Sequence, residues 1–575
     1  KHGEVANPQQ RLFINQAVCD GCGDCGVQSN CLSVVPVETA FGRKRMINQS
    51  NCNMDYSCAK GFCPSFVLVK GGALRQRVGV LREVGGGAAL AAQLDQLPLP
   101  APHAWSGPYD LMVTGVGGTG IVTVGALLAM AAHLECRYSS VLDFMGFSQK
   151  GGAVLSFVRF ADQREHLNQV RIDTQQADAL LACDLVVGAS DDALQTVRHG
   201  RTRIVANVHE TPIPAFLSNP DADLQVQALL EKMHDAAGAD LVETFDAQAL
   251  AEHFLGDTIG ANILALGYAW QRGLIPIGLP AMLRAIELNG VAVQMNQMAF
   301  NLGRLAAGNP PALQALLPGA VVPAASAGSP LCTLDELIAQ RIEHLRAYQD
   351  DAYAQRYRTL VERVRERERS LTGTEARTRL LLTESVALHF ARLMAYKDEY
   401  EVARLYTDGA FQKQLAAQFE GDYTLEFLLA PPVLSRVSGA AAGVAPRKMR
   451  SGGWTMTALR MLAKGRKLRG TRLDVFANTE ERRIERELIE NYECRMLELL
   501  PQLTPGNLGC AIELADNAHR IRGFGHVKRV NIGLARERET ELLHRFDPIR
   551  YPQPQASREA ARGKFRSIPI ASIDG

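Results

Sequence analysis

Three things are scarce in this sequence: net charge, long apolar runs and cysteine. Its 62 Lys and Arg stand against 61 Asp and Glu, a formal net charge of +1. No global field therefore draws it to nucleic acid or a membrane, and any such partner must use a local patch. The longest apolar stretch, Ile121 to Leu134, has 14 residues, whereas a spanning helix needs about 20. No membrane segment is expected. Cysteine supplies 12 of 575 residues, far below a disulfide scaffold. No fixed-period repeat is visible. A composition of 47% apolar and 21% charged residues excludes a disordered or fibrous chain. At roughly 100–200 residues per domain, three to five domains are expected. The first residue is Lys1 rather than Met, which predicts a processed product or a piece of a longer chain. Clustered thiols with no cleavable leader in view predict a cytoplasmic location.

Texture divides the chain. Residues 1–84 are short, loop-rich and thiol-rich, with too few large apolar side chains to build a core unaided. Residues 85–108, with Gly85-Gly86-Gly87 and then four prolines, read as a helix followed by a linker. From 109 to 308, β-branched runs alternate with helical ones, which predicts an α/β domain with a largely parallel sheet. Strands are expected at 110–114, 139–142, 153–160, 184–187, 203–206 and 240–243, and helices at 119–134, 260–272 and 280–306. Residues 309–332 form a second Pro-rich linker, and 333–575 read as mainly helical.

Seven of the twelve cysteines lie between Cys19 and Cys63. Cys19, Cys22 and Cys25 have the C-x2-C-x2-C spacing of a bacterial-type ferredoxin loop, followed by Cys31. Three thiolates so spaced wrap one corner of a cubane, and Gly21, Gly23 and Gly26 let the backbone curl around it. The second motif reads Cys52, Asp55, Cys58 and then Cys63-Pro64, the same template with Asp55 at the central ligand position. In two-cluster ferredoxins the last cysteine of each motif serves the other motif's cluster. That rule predicts a [4Fe–4S] cluster on Cys19, Cys22, Cys25 and Cys63. A second falls on Cys52, Cys58 and Cys31, with Asp55 or an exogenous fourth ligand and a possible [3Fe–4S] form. The rival is zinc on four thiolates, which more often shows two separated C-x2-C pairs. The remaining Cys136, Cys183, Cys332, Cys494 and Cys510 read as small buried hydrophobes.

After the strand at 110–114 comes Gly115-Val-Gly117-Gly118-Thr119-Gly120, then an apolar helix. This fits G-x-G-x-x-G, with Asp143 placed like the acidic ribose ligand of a dinucleotide site. The physics is more general, because a helix N-terminus offers free N–H groups to any anion. A second loop holds Lys150, Gly151 and Gly152. It is either a phosphate contact or a solvated turn. Between Arg447 and Arg472 lie nine Lys and Arg and no acid. Ferredoxin docking, nucleic acid and a solvated loop all fit it, and the lone Trp454 offers no stacking platform.

The thiol module, the Gly115–Gly120 loop and Phe147-Ser-Gln-Lys150-Gly151-Gly152-Ala-Val together resemble the 2-oxoacid:ferredoxin oxidoreductases. They are most similar to the large single-chain indolepyruvate ferredoxin oxidoreductases. The resemblance implies a ferredoxin-like iron–sulfur module, an α/β gamma domain over 109–308, and a C-terminal domain of unassigned role that includes Gly523-Phe-Gly-His526-Val-Lys528. It implies oxidative decarboxylation of an aryl 2-oxoacid on thiamine diphosphate and Mg, with acyl transfer to coenzyme A. Electrons would leave singly through 4Fe–4S clusters to ferredoxin. A homo-oligomer is expected, and no nucleic-acid or membrane partner. The family's Gly-Asp-Gly thiamine motif is missing here, so the thiamine-binding module is expected upstream or on another chain. Two other readings stay open at this point. One is an NAD(P)-linked iron–sulfur oxidoreductase using the Gly115–Gly120 loop, and the other a zinc-stapled nucleic-acid-binding adaptor.

Overall fold

The computed structural model describes residues 9–29, 31, 33–49, 52–75, 86–100, 107–145, 152–209, 225–316, 333–372, 379–429, 449–452, 454–471, 474, 476–477 and 479–552. In the thiol-rich segment β1 (Gln10–Ile14) runs antiparallel to β4 (Phe66–Leu74), and β2 (Val34–Val37) forms a hairpin with β3 (Lys44–Ile47). One short helix follows each cysteine loop, Asp24–Ser29 and Ser57–Lys60. A unit of strand, cysteine loop, short helix and strand thus occurs twice.

The α/β region holds six strands: β5 (Tyr109–Val116), β6 (Tyr138–Met145), β7 (Ala153–Ala161), β8 (Ala179–Ala182), β9 (Arg203–Asn207) and β10 (Val242–Phe245). Their order is β10-β9-β8-β5-β7-β6. The first four are mutually parallel, and β7 alone is reversed, antiparallel to both its neighbours β5 and β6. Every residue of β5 is buried, as expected of a strand covered on both faces. At its start Asp110 takes both Arg159 Nε and an Arg159 Nη at 2.7 Å, a two-pronged ion pair inside the sheet. The strand expected at 184–187 is instead a helical turn, Leu185–Gly188, capped by Asp184 through the Val187 amide. The real strand precedes it as Ala-Leu-Leu-Ala, residues with little β preference of their own. The run 280–306 is two helices, Leu279–Asn289 and Val293–Gly308, parted by left-handed Gly290 and Ala292. Gly267 and Gly303 let the helix Ala261–Gln271 lie directly on Val293–Gly308, since a Cβ on Gly303 would fall 1.9 Å from the Leu264 carbonyl oxygen. The helix expected at the start of residues 85–108 is Gly86–Asp95, and its Leu90 joins this core.

The C-terminal region is mainly helical. Helices Leu334–Tyr348, Asp351–Thr372, Leu381–Met394, Glu480–Leu499 and Gly525–Phe546 enclose Tyr357, Phe390 and Tyr492. Buried Glu368 accepts the Leu382 and Thr383 amides and so caps the neighbouring helix. Against the helical expectation, β11 (Phe419–Leu429) and β12 (Met449–Ser451) extend the β1–β4 sheet, in the order β1-β4-β11-β12. Phe13, Val67 and Val69 pack with Tyr406, Phe411, Phe419 and Phe427. The apolar side chains that the thiol-rich segment lacks are thus supplied from more than 300 residues away. Among the described residues no helix is long and apolar enough to cross a membrane.

Candidate functional site

The seven clustered cysteines separate into two sets. Cys25 is surrounded by Cys19, Cys63 and Cys22. Cys58 is surrounded by Cys31, Cys52 and Asp55. Each set draws its last cysteine from the other motif. Burial, and then the neighbouring thiols, push Cys22 and Cys25 up, and push Cys58 up to about 12. Six of the seven pack with Leu12, Ile14, Val34, Ile47, Phe66, Leu68 and Leu428. Among the described residues no three His, Cys, Asp or Glu side chains converge to hold a single metal ion. In a cubane each thiolate binds its own iron, and the donor set here, thiols grouped in fours and threes, is chemically suited to that. Outside the cluster Cys183 is buried as expected, whereas Cys136 and Cys494 are exposed and Cys510 is half-buried. Cys332 lies outside the described residues.

The two loops share one backbone. Gly21 and Gly23 flank Cys22 with φ of 69° and 78°, and Met54 and Tyr56 flank Asp55 with φ of 57° and 59°. The second loop adopts the left-handed turns of the first without glycine, at a cost of about 1–2 kcal/mol per residue. Asp55 is exposed and bonds within its own loop, accepting the Ser57 amide at 3.0 Å and the Ser57 hydroxyl at 2.8 Å.

The glycine loop follows β5 and leads into the helix Ile121–Leu134. Gly118 and Gly120 are left-handed, with φ of 86° and 95°, and Gly120 caps the helix without a side chain. The first-turn amides therefore stay open to an anion. The Asn262 amide grips the loop by bonding Thr119 O at 2.7 Å. Gly117 N bonds Gly152 O at 2.8 Å, which brings the second loop against the first. Lys150 and Gly151 lie outside the described residues. Gly115 is a packing glycine, its missing Cβ replaced by Ile121. Asp143 does not stand where a dinucleotide acid would. It lies on β6, separated from β5 by antiparallel β7, and its Oδ1 is buried without a hydrogen-bond partner.

Residues 110–306 match the family model described as pyruvate ferredoxin/flavodoxin oxidoreductase. Over this region the chain is similar to the 2-oxoacid:ferredoxin oxidoreductases. The "Indolepyruvate oxidoreductase subunit IorB" of Pyrococcus horikoshii is 29% identical over 208 residues, 35% of this chain and 96% of the relative. Its counterpart in Thermococcus kodakarensis is 27% identical over 204 residues, again 35% of this chain and 96% of the relative. "Pyruvate synthase subunit PorC" of Methanothermobacter thermautotrophicus is 28% identical over 169 residues, 29% of this chain and 78% of the relative. Residues 334–541 match a family described as of unknown function (DUF6537).

The region matching the family of unknown function grips the first cysteine loop. Lys397 Nζ donates to Cys19 O at 2.7 Å and lies 3.2 Å from Asp20 Oδ1. Arg522 bonds Gly21 O at 3.1 Å, and Gly523 N bonds Asp20 Oδ2 at 2.6 Å. Burial opposes ionisation of Asp20, but Lys397 and Arg392 outweigh it and hold the carboxyl below its usual range. Burial, then Lys397, pushes the nearby Lys44 ammonium down to about 7. The Gly523–Lys528 run lies here, with His526 against Phe62, next in sequence to Cys63. Sequence reasoning missed Lys44, Lys397 and Arg522, because no local pattern marks a contact made across hundreds of residues. In the basic stretch, Arg469 is an internal clamp. It is paired with Asp398 at 2.6 Å and lies over the Tyr348 ring. Arg466 bonds the Ala347 carbonyl. Arg450, Arg460, Lys464 and Lys467 are not buried, and Arg447, Lys448 and Arg472 lie outside the described residues.

Proposed function

We propose that this chain is the electron-transfer and gamma-domain part of an indolepyruvate ferredoxin oxidoreductase, working with a thiamine-diphosphate-binding module upstream or on another chain. The observation that carries the reading is the grouping of the cysteines into two cross-contributed sets on the same chain as the gamma-type domain. The names of the IorB relatives favour indolepyruvate as the 2-oxoacid. The first cluster is assigned to Cys19, Cys22, Cys25 and Cys63. The second is assigned to Cys31, Cys52 and Cys58, with Asp55 or an exogenous ligand. Such clusters, when bound, supply one-electron transfer toward ferredoxin. The chain's own part begins with protons. Burial holds Cys22, Cys25 and Cys58 as neutral thiols, so ligation releases protons and is favoured by rising pH. The apolar packing around the thiols limits water, and Lys397 and Arg522 fix the carbonyls of the first loop. At the gamma domain, the open amides after Gly120 are a seat for a phosphate of coenzyme A.

Protein purified without oxygen tests the reading through iron and sulfide content and the EPR spectrum. Two clusters are expected, with Cys22→Ser losing the first alone. Because Asp55 is a harder donor than a thiolate, the second should convert to a three-iron form on mild oxidation, and Asp55→Cys should prevent this. A colourless zinc protein would overturn the assignment. So would steady decarboxylation by this chain without its thiamine partner.

A further inference from the structure

A cavity of about 1620 Å³ opens in the seam between the thiol-rich segment and the helical region, and Lys44, Cys63, Arg392, Lys397 and Lys528 are among its walls. That exceeds the roughly 300–1,000 Å³ of an ordinary small-molecule pocket. Lys397, Arg392, Lys528 and Lys44 all act on the single carboxylate of Asp20. Lys528 also holds both oxygens of Glu485, at 2.7 and 2.8 Å. Arg392 donates to the carbonyls of His519 and Ile521. Counted over all its walls, the cavity has twelve Lys and Arg against nine Asp and Glu.

Lys44 is the exception among them. It is only 7% exposed, yet no acceptor among the described residues bonds or ion-pairs with its ammonium. Lys44 lines the cavity, and Asp20 and Cys19 are the anionic groups near enough to favour its charge, neither of them bonded to it. A buried ammonium without an acceptor is strongly unfavourable unless an anion joins it.

We propose that this cavity binds a phosphate-bearing small molecule, its phosphate held by Lys44, Lys397 and Arg392. The excess of three cations over carboxylates in the walls suits a multiply charged oxyanion, and a guanidinium fork fits phosphate oxygens. Phe41 and Tyr396, also in the walls, are available to an organic remainder. This gives the region of unknown function a ligand of its own, beside the first cysteine set.

Calorimetric titration of the anoxically purified full chain with inorganic pyrophosphate, and separately with ADP, tests it. Saturable one-to-one binding is expected. Lys44→Met should weaken it at least tenfold and Lys528→Gln at least threefold, with iron content and EPR unchanged. Tighter binding of ADP than of pyrophosphate would identify a nucleotide, and equal affinities a bare phosphate group. Should Lys44→Met fold poorly, Lys528→Gln decides alone. Absence of saturable binding overturns the proposal. So does binding that survives both substitutions and is lost in Gly120→Val, which would place the anion at the gamma-domain loop.

Discussion

Gly21 and Met54 occupy equivalent places in two loops of the same shape, yet their substitution should have opposite effects. A Cβ on Gly21 would lie 2.3 Å from the Arg43 carbonyl oxygen, and its φ is 69°. Gly21→Ala is expected to destabilise the segment by about 2–3 kcal/mol and to lower bound iron. Met54→Gly relieves a left-handed residue and should leave stability within about 1 kcal/mol of the parent or raise it. Denaturant unfolding with iron analysis checks both. At this scale the sequence speaks most directly through the cysteines, because ligand spacing is local, and the proposed cluster assignment rests on it. It is no guide to Lys44 or Lys397, whose meaning depends on a distant region. The tight turn at Gly118 and Gly120 was legible from glycine alone, and both are left-handed. The role of Asp143 was not, because one sequence does not reveal that β7 inserts between β5 and β6.

Helix contacts and titratable pairs set the behaviour of whole elements. Gly303→Ala should separate the helices Ala261–Gln271 and Val293–Gly308 and cost about 1–3 kcal/mol, read as a lowered midpoint for the gamma domain. Acid should loosen the helical region in two stages. Burial depresses the pKa of His389, with Arg392 and His519 opposing its protonation and Asp516 favouring it. The unfolded chain then takes up that proton first, so stability falls as pH drops below the ordinary histidine value of 6.5. His389→Gln should flatten the fall of Tm between pH 7.5 and 5.5. Glu401 behaves differently. Burial opposes its charge, but Arg404 and His344 win and bring it down from 4.5 to about 2. That contribution, on the order of 3 kcal/mol, is present above pH 4.5 and lost as pH falls toward 2. Element types were readable where β-branched runs alternate with apolar helices. They were misread where a strand is built of alanine and leucine, or where a turn caps itself with Asp184.

Across the whole molecule, the thiol-rich segment and the region of unknown function share one sheet and one core. Removing residues 333–552 should therefore abolish iron retention at both cysteine sets, although none of the seven cysteines is deleted. Iron content of the truncated chain, beside its circular dichroism, checks this. The pairing of β4 with β11 also sets an order of events during synthesis. The sheet partner of the cysteine loops leaves the ribosome roughly 350 residues after them, on the order of half a minute at ~5–20 residues per second. During that interval the thiols are displayed on an incomplete scaffold, open to oxidation and to stray metals. A scaffold protein that delivers assembled clusters would find a finished cradle only after residue 429 has been made, so the fold itself defers maturation until that strand is in place.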